Sequence, residues 1–183
     1  MRSAPLQWTV TFTIRDFQPS DFDTLWRIDQ SCFPPEISYS RTELKTYIKH
    51  RGSFTLVAMC EPLSPLQSDT GNNRNSSPST TVTPSSVGGF IVGHIGIGGT
   101  GHIITIDVVE SARRTGTGTL LLRAAENRLR ASGCRSVGLE TAVDNLSALS
   151  FYKRNGYTVM KTFPRYYSNG VDALVLEKAL KEK

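Results

Sequence analysis

Apolar and polar residues alternate along several short stretches of the chain, with the two-residue period of β-strands that bury one face. From Trp8 to Asp16, Val10, Phe12 and Ile14 fall on one side, and threonines and Arg15 fall on the other. The same reasoning predicts strands from Phe54 to Cys60, from Val87 to Ile95, from His102 to Val109, from Arg135 to Val143, from Tyr157 to Thr162 and from Asp172 to Leu180.

A 3.6-residue period marks the helices. Ser20 with Asp23, and Ser40 with Glu43, have the spacing of capping boxes and predict the starts of the first two helices. The loop between these helices, from Cys32 to Tyr39, contains two prolines that keep it out of helix.

Two more helices follow in the second half of the chain. The third is predicted from Thr119 to Ser132 with Gly133 as its stop, and the fourth from a cap at Asp144 or Asn145 to near Gly156. Strands are thus grouped, with helices inserted between them. This order predicts an α/β or α+β fold, with a mixed, partly antiparallel sheet flanked by helices.

One segment breaks the pattern. From Glu61 to Ser86 the residues are mostly Ser, Thr, Asn, Pro and Gly, with few apolar side chains to offset the entropy of ordering. We therefore predict a single domain over residues 1–183 that carries a low-complexity, flexible insertion at 61–86. Deleting this insertion is expected to leave the fold and the activity intact.

Charge and cysteine content narrow the choice of partners. The net charge of +5 is spread along the chain, which favours mild steering of a polyanion or association with the ribosome, without a specific nucleic-acid site. Cys32, Cys60 and Cys134 lack metal-ligand spacing, so neither a metal site nor a disulfide framework is predicted. No apolar run is long enough to span a bilayer, so we expect a cytoplasmic protein without membrane contact.

The turn from Arg113 to Gly118 joins a predicted buried strand to the third helix. A glycine-rich turn at a helix start presents free N–H groups where the helix dipole favours negative charge, which suits a phosphate. No Gly-Lys-Ser or Gly-Lys-Thr follows, which argues against a P-loop nucleotide site. The run from Gly96 to Gly101 matches Gly-x-Gly-x-x-Gly by letter, but β-branched residues follow it, so a hairpin turn is predicted.

Strand, Arg-Arg-Thr-Gly-Thr-Gly and helix together resemble the acyl-CoA pyrophosphate loop of the GCN5-related N-acetyltransferase (GNAT) family. The stretch from Leu139 to Tyr157 is similar to the second half of that fold, with Asn145 opening a helix, Ala148 following and Phe-Tyr-x-x-x-Gly-Tyr closing it. The resemblance covers the chain from Trp8 onward except for the insertion. It implies a GNAT fold with acetyl-CoA as cosubstrate, bound where the central strands separate.

The resemblance also implies how the cosubstrate is held. The backbone from Ile106 to Val108 would pair with the pantetheine arm like another strand, and the Val108 amide would face the thioester carbonyl. The implied cofactor-binding set is Ile106, Val108, Arg113, Arg114, Thr115, Gly116, Thr117, Gly118, Thr119 and Asn145.

Transfer of an acetyl group from a thioester to an amine needs a base for the ammonium proton and an acid for the thiolate. The resemblance implies that Glu140 is the base, acting through water, although the residues alone also fit a solvent-facing or ion-paired strand glutamate. It implies that Tyr152 is the acid, whereas spacing alone fits equally a core tyrosine packed on Phe151 and Tyr157. We expect no acyl-enzyme, because no cysteine stands at a nucleophile's position.

Four further polar residues complete the candidates. Asp107 departs from the family pattern, which has an apolar or small residue there, and could face the amine as an auxiliary carboxylate. His102 ranks second to Glu140 as a catalytic side chain. His50 and His94 are interpreted as structural.

The stretch from Pro164 to Ala173 resembles the Arg-x-Tyr-Tyr, Gly and Asp-Ala segment of the protein N-terminal acetyltransferases, including the bacterial ribosomal-protein alanine N-acetyltransferase group. The resemblance implies acetylation of the α-amine of a protein or peptide N-terminus, with a ribosomal protein as one candidate. A small-molecule amine acetyltransferase and a noncatalytic acyl-CoA-binding module are the alternatives. The implied substrate-binding residues, forming two walls, are Phe33, Pro34, Tyr39, Tyr166 and Tyr167.

Overall fold

A computed structural model of the chain describes residues 11–61 and 86–180. Within these ranges the strands are β1 (Thr11–Asp16), β2 (Ser53–Glu61), β3 (Ser86–Ile95), β4 (Thr100–Val108), β5 (Ser136–Ala142), β6 (Thr158–Phe163) and β7 (Ala173–Ala179). The helices are α1 (Phe22–Cys32), α2 (Arg41–Lys49), α3 (Thr117–Ala131) and α4 (Leu146–Arg154), with short 3-10 turns at Pro19–Asp21 and Glu110–Ala112.

The seven strands form one sheet in the order β1-β2-β3-β4-β5-β7-β6. Every neighbouring pair is antiparallel except β4 and β5, which are parallel. The mixed, partly antiparallel sheet predicted from the sequence is confirmed. The β4–β5 pairing covers only Thr100–His102 against Ser136–Gly138; beyond it, the two strands no longer pair with each other, although β4 stays paired with β3 and β5 with β7.

Helices cover both faces of the sheet and create two hydrophobic clusters. On one face, α3 buries the apolar side of its amphipathic pattern, in particular Leu121, Leu122 and Leu129, against β2 to β5. On the other face, Leu25 of α1 and Leu44 of α2 pack on the central strands. Full burial of one such side chain contributes about 1.5–3 kcal/mol, so these stripes hold the helices on the sheet.

A β-bulge in β4 reverses which side chains face each cluster. Val92 pairs with Thr105, but Gly93 pairs with Ile103, so Ile104 is the extra residue. Ile103 packs into the α3 cluster, whereas Ile104 packs with α1 and α2. His102 and Ile104 both face the cavity described below, as ordinary alternation requires, but beyond the bulge the phase reverses, and Ile106 and Val108 pack with the α3 cluster.

The start of α1 differs from the prediction. Ser20 and Asp23 do not form the capping box; instead Gln18 precedes a 3-10 turn, and Asp21 accepts the Gln18 backbone N–H at 2.8 Å. Pro19 sets the helical dihedral one residue earlier than Ser20 could. Asp21 is also bound by Arg15, whose hydrogen bonds hold the pKa of the Asp21 carboxyl below its usual range.

The other predicted boundaries agree more closely. The Ser40–Glu43 capping box is confirmed, with both reciprocal hydrogen bonds formed. Gly96 to Gly101 is a hairpin turn, closed by Gly96 N–H donating to Thr100 O at 2.8 Å.

Two predicted segments lie partly outside the described residues. In the predicted insertion, Glu61 ends β2 and Ser86 begins β3, and residues 62–85 lie outside the described residues. Residues 8–10 of the predicted first strand also lie outside them. In the described ranges, no helix combines the length and apolarity needed to cross a membrane.

Candidate active site

The gap between β4 and β5 opens beyond the His102–Gly138 pair. Val109 N–H donates to Gly88 O at 3.0 Å. In an antiparallel ladder, hydrogen-bonded residue pairs alternate with pairs that are not hydrogen-bonded. Val108 and Gly89, the next pair, are therefore not hydrogen-bonded to each other. The N–H and C=O of Val108 point away from β3 into the gap. The Val108 C=O accepts hydrogen bonds from Arg113 and Cys32, so the Val108 N–H is the group left for an extended ligand, and the pairing predicted for Val108 stays a prediction.

At the end of this edge, the turn from Arg113 to Gly116 leads into α3. Gly116 adopts φ 94°, and Arg114 adopts φ 62°, which is strained for a residue with a side chain. The first backbone bond of α3 is Leu120 N–H to Gly116 O at 2.9 Å, so the preceding amides of the 15-residue helix keep their donors free. This geometry fits an anion, and the helix begins at Thr117 instead of the predicted Thr119.

The two arginines of the turn have different environments. The Arg113 side chain folds back, with Nε donating to Val108 O at 3.0 Å and its guanidinium 3.6 Å from the Cys32 Sγ. Arg114 is exposed and makes no side-chain hydrogen bond within the described residues. The hydroxyls of Thr115 and Thr117 bond each other at 2.8 Å and brace the turn. Arg113 thus shapes the turn, and Arg114 is the guanidinium left available to a phosphate.

Cys32 lies closer to this edge than its place in the sequence indicates. Its thiol donates to Val108 O at 3.4 Å. Burial, followed by the nearby Asp107 carboxyl, raises the pKa of the Cys32 thiol. A protonated thiol is a weak nucleophile. Direct transfer without an acyl-enzyme is therefore still expected, even though Cys32 lies close to Val108.

Glu140 lies on β5 with its side chain 20% exposed, while Val137 and Leu139 are buried on the opposite face. Its Oε2 is 3.1 Å from Nε2 of His102 on β4. The partner of Glu140 is therefore an imidazole, and not the lysine or arginine of an ordinary surface ion pair. Carboxylate and imidazole together can accept and pass on a proton.

The pair faces a cavity of about 340 Å³ on the α1–α2 side of the sheet. The lining residues are Tyr39, Tyr47, His50, His94, His102, Ile104, Glu140, Tyr166 and Tyr167. Sequence reasoning missed Tyr47 and Ile104 and interpreted His50 and His94 as structural. The one available signal was that His94 and His102 flank a predicted hairpin turn, which makes them cross-strand neighbours.

Tyr152 has the surroundings of a core tyrosine, and its role as general acid stays a prediction. It is 6% exposed, and its ring lies edge-on to those of Phe151 and Tyr157, with centroids 5.2 and 5.5 Å away. Its hydroxyl forms no hydrogen bond within the described residues. Burial above all, then the charges of Asp107 and Tyr167, raises the pKa of Tyr152, so the hydroxyl stays protonated at neutral pH. A general acid needs that protonation state.

Asn145 caps α4, its side-chain oxygen accepting the Ala148 N–H at 3.0 Å. Its amide NH₂ group makes no hydrogen bond within the described residues and can bind a cofactor. Asp107 is 1% exposed and does not line the cavity. One of its oxygens accepts from Thr105 at 2.8 Å, and the other has no partner among the described residues. Burial raises the pKa of the Asp107 carboxyl well above its usual range, so a role as the amine's auxiliary base gains no support.

Two loops contribute aromatic side chains to the cavity. Tyr39 lines the cavity from the α1–α2 loop, and Tyr166 and Tyr167 line it from the β6–β7 loop, whereas Phe33 and Pro34 do not contribute. Tyr39 is fixed, since its N–H donates to the buried Asp29 at 2.8 Å and its carbonyl accepts from Gln30 and Trp26.

The β6–β7 loop is ordered by its own contacts. Arg165 adopts φ 51°, and its N–H donates to the Asp172 side chain at 2.7 Å. Ser168 Oγ donates to Glu36 O at 2.7 Å, which ties this loop to the α1–α2 loop. The two walls are thus joined into one frame around the cavity.

A sequence model of the acetyltransferase (GNAT) family matches residues 22–157. The chain belongs to this family. Relatives include an uncharacterized N-acetyltransferase from Methanocaldococcus jannaschii, 40% identical over 91 residues, which are 49% of this chain and 58% of the relative. N-alpha-acetyltransferase 30 from Schizosaccharomyces pombe is 40% identical over 73 residues, 40% of this chain and 49% of the relative. The chain matches about half the length of these GNAT relatives.

Solved structures show the same fold. Ard1 from Thermoplasma volcanium superposes with a TM-score of 0.73 at 27% identity, covering 93% of this chain and 99% of that one. The ribosomal-protein-S18-alanine N-acetyltransferase from Escherichia coli gives a TM-score of 0.71 at 16% identity, covering 94% and 96%. The predicted GNAT fold is confirmed, and the second comparison supports the fold alone.

Proposed function

We propose that the protein transfers an acetyl group from acetyl-CoA to the α-amine of a protein or peptide N-terminus. The observation that carries this proposal is the Glu140–His102 pair, which faces a cavity walled by Tyr39 and by Tyr166 and Tyr167. Relatives named N-alpha-acetyltransferase, from a yeast and from archaea, support the same acceptor class.

The residues present fit the cosubstrate. Acetyl-CoA supplies an activated thioester. The free amides at the start of α3, with Arg114 beside them, would hold its pyrophosphate, and the open edge of β4 at Ile106 and Val108 would hold its pantetheine arm. Both features have unused donors, which is what a ligand of this shape requires.

The chain's own residues account for proton movement. An α-amine reaches the site mostly as ammonium, and Glu140, backed by His102, takes its proton so that the nitrogen lone pair can attack. The Val108 N–H points into the gap, where it can donate to the oxygen that gains charge. Tyr152, kept protonated by burial, can donate a proton to the departing sulfur.

The frame around the cavity supports a chain end as acceptor. Tyr39 is held by four hydrogen bonds, which include its hydroxyl donating to Ile104 O at 3.4 Å. The opposite wall is tied to it through Ser168 and Glu36. Such an aromatic frame around an open-sided cavity suits the thin end of an extended peptide better than a folded surface. A ribosomal protein as acceptor, a cytoplasmic location and a dispensable segment at 62–85 are further parts of this proposal.

The test is acetylation of a set of short peptides with different first residues, assayed by release of free CoA. Peptides with a blocked α-amine and one free lysine, together with spermidine and an aminoglycoside, serve as controls. The proposal expects turnover on free α-amines well above all controls. Turnover confined to the small amines would replace it with the small-molecule alternative, and no turnover would favour a noncatalytic acyl-CoA-binding module.

A further inference from the structure

Two carboxyl groups are buried where α1 lies against β4, apart from the residues that line the cavity. Asp29 on α1 and Asp107 on β4 are both almost inaccessible to solvent. Cys32, which lies one helical turn after Asp29, donates its thiol hydrogen to Val108 O at 3.4 Å, so this face of α1 lies beside the end of β4. Within residues 11–61 and 86–180, neither aspartate forms an ion pair, so the fold encloses two acids without a counter-ion there.

Each carboxyl group uses one oxygen and leaves the other without a partner. Asp29 Oδ2 accepts the Tyr39 N–H at 2.8 Å and the side-chain amide of Gln30 at 3.0 Å. Asp107 Oδ1 accepts the Thr105 hydroxyl at 2.8 Å. The second oxygens, Asp29 Oδ1 and Asp107 Oδ2, are buried and have no hydrogen-bond partner among the described residues. Protonation removes the charge of such a group and turns the unpaired acceptor into a donor, which lowers the cost of burying it.

The two carboxyl groups do not hold a negative charge equally well. Asp29 accepts hydrogen bonds from two N–H groups, which stabilise its ionised form, whereas Asp107 accepts one from a hydroxyl. Burial above all, together with the charge of Asp29, raises the pKa of the Asp107 carboxyl. Burial raises the pKa of Asp29 as well. The arrangement therefore favours one negative charge, on Asp29, and one proton, on Asp107.

Further titratable groups approach the pair from the elements packed around it. Burial raises the pKa of three of them, a thiol and two phenols that are neutral at neutral pH, namely Cys32 from α1, Tyr39 from the α1–α2 loop and Tyr152 from α4. Glu43, in the α2 cap, adds a negative charge on the side of Asp29. Arg113 supplies a positive charge that lowers the pKa of Asp107, but its Nε donates to Val108 O instead. These surroundings leave the proton of Asp107 as the means of keeping that carboxyl neutral.

The two acids connect the acceptor cavity to the strand edge proposed for acetyl-CoA. Asp29 fixes the backbone of Tyr39, whose ring lines the cavity. Asp107 directly precedes Val108, whose N–H points into the gap between β4 and β5. A second negative charge, on Asp107, would repel Asp29 in a medium that screens charge poorly. α1 and the loop that carries Tyr39 would then move away from β4.

We propose that Asp29 and Asp107 form a singly protonated pair that holds the α1–α2 loop against β4, and that loss of the proton frees Tyr39 from its place in the cavity wall. The pair goes beyond the proposed function, and only its effect on the acceptor rests on that function. Asp29 and Asp107 are positioning residues, since they act through Tyr39, while Glu140 and His102 take up the acceptor's proton.

The sign of the pH dependence follows from where the proton is bound more tightly. The held loop keeps Asp107 buried and raises its pKa, whereas a released loop would expose the carboxyl to water. The advantage of the held loop is therefore complete below the ordinary aspartate pKa of about 3.9, and it is lost as pH rises through the raised pKa. Alkaline pH should weaken acceptor binding.

Trp26 reports the position of the loop without any substrate, since its indole N–H donates to Tyr39 O at 3.2 Å. Trp8→Phe leaves Trp26 as the only tryptophan in the chain, and its emission is recorded from pH 6 to pH 9. We expect a red shift as pH rises, because release of the loop exposes the indole. In the same background, Asp107→Asn keeps the neutral form and should abolish the shift. Glu110→Gln is the matched control, since it removes an exposed carboxylate three residues after Asp107 and should leave the shift unchanged.

Acceptor kinetics test the consequence for the site. With a peptide that has a free α-amine, kcat and KM are measured over the same pH range, and each variant is divided by wild type at each pH. Titration of the amine and of the cavity residues cancels in this ratio. For Asp107→Asn, the kcat/KM ratio is expected to rise about tenfold from pH 6 to pH 9, through KM, which corresponds to one pKa unit of coupling. The ratio for Glu110→Gln should stay flat.

The two readouts separate the possible failures. A flat ratio for Asp107→Asn in active protein would overturn the positioning role of the pair. A Trp26 shift that persists in Asp107→Asn would assign the transition to another group and would overturn the pair as well. A Trp26 shift that Asp107→Asn abolishes, in a protein that turns over no peptide, would support the pair and remove the proposed function instead.

Discussion

Glu126 on α3 and Glu140 on β5 are both negatively charged residues among apolar neighbours, yet their environments differ. Glu126 is 4% exposed and accepts hydrogen bonds from Lys178 Nζ at 2.7 and 2.8 Å and from the Tyr157 hydroxyl at 3.1 Å. Glu140 is more exposed and has one partner, His102. The carboxylate of Glu126 accepts hydrogen bonds that stabilise the fold, whereas the carboxylate of Glu140 can still accept hydrogen bonds from a ligand.

Asp107 is a third kind of carboxyl group, buried like Glu126 but with one oxygen lacking a partner among the described residues. Burial raises the pKa of the Asp107 carboxyl, and no counter-ion among the described residues pairs with its charge. The three acids thus combine burial and hydrogen bonding in three ways, and each combination predicts a different response to substitution.

The largest effect is expected at Glu140. Glu140→Gln keeps the shape of the side chain and removes the proton acceptor, so kcat should fall about 10²–10⁴-fold. Affinity for acetyl-CoA, measured by calorimetry, and the melting temperature should stay close to wild type. Unchanged turnover would show that Glu140 takes no part in the reaction, and Glu140 and Glu126 would then no longer differ in function.

Glu126→Gln should show the reverse. The change leaves the Lys178 ammonium without its counter-ion, and we expect a loss of about 1–3 kcal/mol in the free energy of unfolding, measured by urea denaturation. Turnover at 25 °C should be unaffected. A double substitution with Lys178→Met isolates the pair energy, and additive effects of the two changes would show that the pair does not stabilise the fold.

Tyr152→Phe tests whether a side chain packed in the core also acts in the reaction. The ring contacts with Phe151 and Tyr157 survive, so stability should change little, whereas kcat should fall about 10²-fold through loss of the proton donor. Since burial raises the pKa of Tyr152, the wild-type enzyme should retain kcat at an alkaline pH where an ordinary tyrosine would ionise. An unchanged kcat in the variant would leave Tyr152 as a core residue only.

The smallest effect is expected at Asp107 and depends on pH. The folded state raises the pKa of this carboxyl, so it binds the proton more tightly than the unfolded chain does. Its stabilising contribution is complete below the unfolded pKa, about 3.9, and is lost as pH rises through the folded pKa. Asp107→Asn mimics the protonated form, so its melting temperature should exceed the wild-type value at pH 8, with the difference vanishing near pH 4.

The pKa of buried Asp29 is shifted in the same direction, and its charge is one cause of the raised pKa of Asp107, so Asp107→Asn also removes the repulsion between the two carboxylates, which acts in the predicted direction. A wild-type advantage at pH 8 would show that Asp107 is paired as a carboxylate in solution. That outcome would place Asp107 with Glu126 in the comparison.

Local sequence signals identified the elements and the turn of this fold. The period of Leu121, Leu122 and Leu129 located α3, and the glycines after Arg113 located its open start. The error at α1 was also local, because Pro19 fixes a helical dihedral angle and Asp21 accepts hydrogen bonds from Gln18 and Arg15, which leaves the Ser20 box unformed. Such signals depend on neighbours in the chain, which is why they can be read from sequence.

The site depended on contacts between distant parts of the chain. The Glu140–His102 contact requires the short parallel register of β4 and β5, which no local pattern encodes. The extra residue Ile104 in β4 reverses the alternation beyond it, so that Ile106 and Val108 pack with the α3 cluster, and a strict two-residue period cannot show this. Phe33 and Pro34 were assigned to the wall by resemblance, whereas their loop presents Tyr39 to the cavity instead.

The most direct test of the account uses one peptide that carries both a free α-amine and an internal lysine, incubated with the protein and acetyl-CoA and analysed by fragmentation mass spectrometry. The frame around Glu140 predicts an acetyl group on the α-nitrogen and none on the lysine, with the product absent for Glu140→Gln. An acetyl group on the lysine, or equal labelling by Glu140→Gln, would contradict it.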